Sequence, residues 1–335
     1  IPEAAGIHFL YAGGIDPAVR GAEPEFSGKN ADIIAQATDG YWVFYEGPEY
    51  AYQGPDPQKD HRAYFRWFGR ANRDIAAGRF RLWQEPRESP DPQVQKVRDL
   101  VGRLRQAGLA PLADAPLPAK ARKAVLTVRG RHAFLIRVAE GEALAGRLAV
   151  RQLGGYTTPC AYILLGPDGT RITHGHAPLD EPVEIRRPTG DAGLYLLVLD
   201  TGRNAARFRA ENPHTCLVGP RMHLLGAQPR AYLLPMPGAK RICLALESPS
   251  PGETARLVLR DPDGNEAARA DTVAKERVEV TAEIAETHRD RPWAIDLGKA
   301  ATGSCEDMTL EIVAGAVPLL ATHPARLLGV EKPLP

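Results

Sequence analysis

Between about residues 124 and 325 the chain carries one pattern twice, at a spacing of roughly a hundred residues. Ala133-Phe134-Leu135-Ile136-Arg137-Val138 is answered by Ala231-Tyr232-Leu233-Leu234-Pro235-Met236. Downstream, Tyr162 to Gly169 is answered by Leu257 to Gly264, and Val183-Glu184-Ile185 by Val278-Glu279-Val280, in the same order. This period is too long for a solenoid and matches one immunoglobulin-like or jelly-roll unit. It predicts two tandem antiparallel β-sandwiches, residues 124–213 and 214–330. Prolines and glycines, 30 and 32 in all, punctuate this half at short intervals, as many short strands require. Pro167-Asp168-Gly169 and Pro262-Asp263-Gly264 predict hairpin turns, since Pro presets the first turn angle and Gly accepts the positive φ. Period-two alternation predicts Phe134, Ile136, Ile163, Leu165, Leu257 and Leu259 as core positions.

Before Ala124 the pattern changes. Ile7 to Ala12 and Tyr41 to Glu46 read as strands that end in Gly-Gly-Ile15-Asp16 and Gly47-Pro48. Helical spacing runs over Asn30 to Thr38, then over Tyr64, Phe65, Trp67, Phe68, Ala71 and Ile75 up to Gly78, and again from about Pro92 to Ala107. This order predicts an α/β segment over residues 1–108, with the Ala- and Pro-rich residues 109–123 as linker. The expected fold class is therefore multidomain, α/β followed by all-β.

Charge and cysteine usage narrow the function. With 42 basic and 41 acidic side chains the net charge is +1, and no basic stripe with interleaved aromatics is visible, so nucleic acid is not expected as a partner. No apolar run approaches the roughly 20 residues that cross a bilayer, so no membrane partner is expected. Cys160, Cys216, Cys243 and Cys305 form no C-x-x-C pair, which argues against zinc. They allow either two disulfides, one within each copy, or free buried thiols. Asp168, Asp261 and Asp263 read as turn residues rather than calcium ligands, and His174-Gly-His176 lacks a third ligand nearby. No metal or cofactor is expected.

Residues Ala37-Thr38-Asp39-Gly40-Tyr41-Trp42-Val43-Phe44-Tyr45-Glu46-Gly47-Pro48, followed by His61-x-x-Tyr64-x-x-Trp67-Phe68-x-x-Ala71-Asn72, resemble the last strand and helix of TIM-barrel glycoside hydrolases and related bacterial proteins. The resemblance covers about residues 5–85, with no diagnostic catalytic signature. It implies a partial (β/α) barrel whose strand ends carry the site. Glu46 and Asp16 would then be the catalytic carboxylates, and Trp42, Tyr41, Tyr45 and His61 the sugar-binding side chains. Each has a plainer structural reading: the aromatics as core, Glu46 as the first solvated residue after a strand, Asp16 as a turn residue and His61 as a helix cap. A complete barrel takes about 250 residues, so this chain would be the C-terminal part of a longer, extracellular or envelope-located enzyme. Its partners would be a carbohydrate and the missing N-terminal part of the barrel, or another polypeptide covering the α/β segment. The expected function is glycoside hydrolysis; the alternative is a non-catalytic extracellular β-sandwich that binds carbohydrate or protein.

Overall fold

The structure, a computed structural model, describes residues 12–15, 41–44, 69, 72–73, 92–112, 117–188, 191–248 and 250–335. It divides into two compact units, Ile1–Asp91 and Pro92–Pro335. In the first, β1 (Ala12–Ile15) and β2 (Tyr41–Phe44) pair in parallel, from Ala12 opposite Tyr41 to Ile15 opposite Phe44. Gly69, Asn72 and Arg73 are helical.

The second unit opens with helix α1 (Pro92–Gln106), which has Pro at its start, arginines 103 and 105 in its last turn and Gly108 at φ 79° just beyond its end. A short strand β3 (Ala110–Pro111) follows. The first copy of the repeat contains β4 (Thr127–Val138), β5 (Leu144–Arg151), β6 (Cys160–Leu165), β7 (Arg171–Ala177), β8 (Val183–Arg187), β9 (Gly193–Ala210) and β10 (Thr215–Val218). The second contains β11 (Arg221–Leu225), β12 (Ala231–Leu233), β13 (Arg241–Glu247), β14 (Arg256–Arg260), β15 (Glu266–Asp271), β16 (Arg277–Glu283), β17 (Trp293–Gly298), β18 (Asp307–Ala314) and β19 (Leu319–Leu320). Strand β20 (Leu328–Gly329) pairs back with β3.

The two copies match strand for strand. In the first, β5 pairs β8 and β9, β6 pairs β7 and β9, and β4 pairs β9; in the second, β13 pairs β16 and β18, β14 pairs β15 and β17, and β11 and β12 pair β18 and β17. The long strands β4 and β9 are what the second copy breaks into β11 with β12 and β17 with β18. Each turns a corner, β4 at Gly130 (φ 79°) and β9 at Gly202 (φ 55°), where the register slips. Gly226, at φ 69°, sits between β11 and β12 at the place of Gly130.

The copies join edge to edge. Strand β4 meets its counterpart β11 antiparallel, Val128 opposite Leu224, so the front sheet runs β16-β13-β18-β11-β4-β9-β5-β8. That order reads the same from either end in terms of equivalent strands, which is the signature of a pseudo-two-fold axis. The back sheets meet likewise through β10 and β19, Leu217 opposite Leu320 and Val218 opposite Leu319. One apolar cluster fills the space between front and back sheets across both copies, from Leu148, Phe208 and Leu164 through Leu224 to Leu257, Trp293 and Leu310. Phe134 and Phe208 touch across it with ring centroids 5.4 Å apart.

A second apolar layer covers the outside of the back sheet, where Leu100, Val101 and Leu104 of α1 and Leu327 and Leu328 pack on Leu135, Leu165, Leu196, Cys216 and Val218. The buried Arg326 fastens this layer, donating to the carbonyls of Ala210, Asn212 and Pro213. Among the described residues no helix packs on the outer face of the front sheet, where charged side chains such as Arg147, Arg207, Arg209, Glu247 and Glu311 are interspersed with alanines.

Two expectations need correction. A (β/α) barrel requires parallel strands alternating with helices, whereas every ladder in Pro92–Pro335 is antiparallel and the described residues hold one continuous helix against many strands. The partial barrel is therefore not the fold: β1 and β2 are a parallel pair of four residues each, and α1, assigned by sequence to the α/β segment, packs on the back sheet. Second, Ile163 and Leu165 face the helix layer, while Leu164 and Cys160 face the core. The back sheet is apolar on both faces there, so alternation could not tell inside from outside. Of the two cysteine states that the sequence leaves open, the structure has free thiols at all four positions. Cys160 and Cys216 lie in different apolar layers on opposite faces of the back sheet, out of reach of each other, and burial pushes both thiols up to about 12.

Candidate functional site

The residues picked from the sequence fall in the first unit. Tyr41 and Trp42 lie on β2, their backbones beside Ala12 and Gly13. Asp16, Tyr45, Glu46 and His61 lie outside the described residues.

The Pro-Asp-Gly segments form the predicted hairpins, with Gly169 at φ 83° and Gly264 at φ 90°. Asp168 accepts from the amide and hydroxyl of Thr170. In the second copy His288 joins Asp261 and Asp263 to give three side chains whose ligand atoms lie within 4.8 Å of one another. Those atoms are already engaged. Asp261 accepts from the amides of Asp263 and Asn265, while Asp263 accepts from Arg291 at 2.7 Å and His288 at 2.9 Å. The Arg291 guanidinium, then the His288 imidazole, hold the Asp263 carboxyl below the usual carboxylate range. With a guanidinium in the place of a cation, the group serves its turn.

A different feature marks the first copy. The loop between β5 and β6 presents Tyr156, which is 39% exposed. Its shape is imposed from beneath by Asn204, which is fully buried at the corner of β9. The Asn204 amide oxygen accepts from the Leu153 amide at 2.9 Å, and its Nδ2 donates to the carbonyls of Tyr156 and Thr158 at 3.0 and 2.8 Å. Thr201 holds the corner in turn, donating to the Asn204 carbonyl and accepting from the Gly130 amide. Arg203 lies over the Tyr156 ring, 5.1 Å from its centroid, and donates to its hydroxyl at 3.1 Å. The loop is thus fixed by buried hydrogen bonds while its aromatic tip stays in solvent, the form of a preorganised binding residue. The equivalent loop of the second copy, from Ser248 to Ala255, contains no aromatic residue.

Sequence reasoning missed Tyr156. The signal was Gly154-Gly155-Tyr156-Thr157-Thr158, a lone aromatic among turn residues where its repeat partner has none.

No family model matches the sequence, and no curated protein matches it. Among solved structures it is similar, at 10% identity, to the N-terminal CBM22-1-CBM22-2 tandem domain from Paenibacillus barcinonensis Xyn10C, with a TM-score of 0.20 over 55% of this chain and 79% of that one. It is similar at 10% identity to a β-glucuronidase from Ruminococcus gnavus, with a TM-score of 0.19 over 59% of this chain and 37% of that one. A viral particle protein, VP2 of infectious bursal disease virus, overlaps at 10% identity with a TM-score of 0.15, over 62% of this chain and 75% of that one. Scores of this size assign the chain to no family.

Proposed function

We propose that residues 92–335 form a non-catalytic carbohydrate-binding body, secreted or held at the cell envelope, that engages a polysaccharide through the first copy. The observation that carries this reading is the Tyr156 platform: an exposed ring on a loop fixed by Asn204, with a guanidinium against it. A flat aromatic ring covers the apolar face of a pyranose, and neighbouring N–H groups bind its hydroxyls. Tyr156→Ala is expected to abolish retardation of the protein in polysaccharide-containing gels while leaving the urea midpoint unchanged. Retardation equal to wild type would remove the platform from function.

A hydrolytic role belongs to the first unit, to Glu46 and Asp16 with Trp42, Tyr41, Tyr45 and His61 as sugar contacts. The complete protein with Glu46→Gln tests it: turnover lost with binding kept makes Glu46 catalytic, and unchanged turnover removes it.

A further inference from the structure

The pseudo-two-fold gives every position of the front sheet a counterpart in the same fold, so the chain supplies its own control for what the fold requires. On the outer face of the first copy, Arg147 and Arg151 of β5 and Arg207 and Arg209 of β9 alternate with the buried Leu148, Val150, Ala206 and Phe208 and are themselves exposed. Arg186 of β8 adjoins them, 63% exposed at its side chain. Arg147 stands directly opposite Arg209, a like-charge cross-strand pair that costs stability. One carboxylate, Glu184, answers the group, 3.3 Å from Arg186 and 3.8 Å from Arg147. Arg207 donates to the Thr127 hydroxyl, and among the described residues Arg151, Arg207 and Arg209 have no carboxylate within ion-pair distance.

The counterparts differ in chemistry. Pairing register equates Arg209 with Glu311, Arg207 with Thr309 and Arg147 with Ala245. In the second copy the charges cancel locally, Arg221 and Arg277 both reaching Glu247 and Glu311 at 2.7 to 3.7 Å. The same sheet is therefore built with a neutralised face in one copy and, in the other, a guanidinium face that Glu184 neutralises only in part. Beyond the Arg207–Thr127 hydrogen bond and the pairing of Arg147 and Arg186 with Glu184, nothing among the described residues calls for those arginines. They persist against mutual repulsion, which points to a ligand that supplies the missing negative charge.

We infer that the outer face of the front sheet in the first copy binds a linear polysaccharide bearing a carboxylate on its sugar residues, a polyuronate. This rests on the carbohydrate-binding reading above and names its ligand class. Guanidinium forks pair with carboxylates bidentately. Along the strands the arginines stand about 6.6 Å apart for Arg207 and Arg209 and about twice that for Arg147 and Arg151, on a solvent-exposed face that a polymer can cross. Among the described residues the outward-facing positions of β5, β8 and β9 hold no aromatic side chain, and the adjoining Tyr156 is a single ring already stacked by Arg203 rather than the series of rings that lines a single-stranded nucleic-acid groove. Arg151 leads directly into the loop of Tyr156, so face and platform are continuous in the chain.

The test uses the full chain with polygalacturonate, carboxyl-reduced polygalacturonate and polyglutamate, read by calorimetry at low salt. The variant Arg147→Ala with Arg207→Thr and Arg209→Glu installs the second copy's own residues. Wild type is expected to bind polygalacturonate and to lose roughly tenfold or more in affinity in the variant and in high salt. The carboxyl-reduced polymer should bind at least tenfold more weakly than polygalacturonate, and polyglutamate likewise. Absence of polygalacturonate binding, a variant equal to wild type, or polyglutamate bound equally well overturns the proposal. If the triple variant does not fold, Arg209→Gln is read in its place with a several-fold loss expected. The two readings fail differently. Loss of the polyuronate proposal alone leaves binding of a neutral polysaccharide sensitive to Tyr156→Ala, whereas failure of the carbohydrate reading removes that sensitivity as well.

Discussion

At the scale of single residues, burial decides chemistry that composition leaves open. His132, just past the corner of β4, is 8% exposed with its Nε2 2.9 Å from the Arg129 carbonyl. Burial pulls its pKa down to about 4, with the nearby His223 adding to the shift. The folded protein therefore binds fewer protons than the unfolded chain between pH 6.5 and about 4. The stabilisation from a neutral His132 is complete above pH 6.5 and is lost as pH falls through that window, at about 1.4 kcal/mol per pH unit. Urea titrations at pH 7 and pH 5 should show a smaller acid-induced loss in His132→Gln than in wild type; equal losses would mean that His132 titrates normally. None of this was legible in sequence, where His132 is one of nine histidines with no partner in view. The same holds for Asn204, whose three loop contacts join residues about fifty positions away.

At the scale of elements, local chemistry was read well and layering was not. The hairpins at Gly169 and Gly264 follow from turn residues three or four positions apart, so a short window contains their whole cause. The sidedness of β6 does not. Ile163 and Leu165 look like core residues because they are apolar, yet they are apolar for α1, which lies far upstream. The barrel expectation failed for a related reason: short apolar runs separated by helical spacing suit many folds, and only long-range pairing selects one. Helix α1 itself was placed correctly by its spacing, but its partner was not visible. Leu104 has no exposed surface and sits on Leu135 and Leu196. Leu104→Ala is expected to destabilise this unit by about 2 to 5 kcal/mol, the range for truncating a buried leucine. Chemical denaturation measures it, and a loss under about 1 kcal/mol would mean that the helix is not integral to the sheet.

At the scale of the whole molecule, the repeat announced two units and the structure joins them through one core. The joints are narrow in sequence, Val128 with Leu224 and Leu217 with Leu320, and no periodicity betrays them. A shared core predicts shared stability. Amide exchange at Leu135 and Leu197 in the first copy should report the same opening free energy as at Leu244 and Leu310 in the second. A gap of several kcal/mol would show that the copies unfold separately. Net charge, nearly zero over the chain, likewise hid a face whose two halves are charged in different ways.

Fusion of the halves in one chain also sets valence. A homodimer of one such unit would carry its arginine face twice, related by a true axis, and each particle could bridge two polymer strands. Here the axis is only approximate: Glu311 and Thr309 stand where Arg209 and Arg207 stand across it. Among the described residues each copy of the chain therefore offers one such face, so under the polyuronate proposal a single molecule would decorate a polysaccharide without cross-linking it.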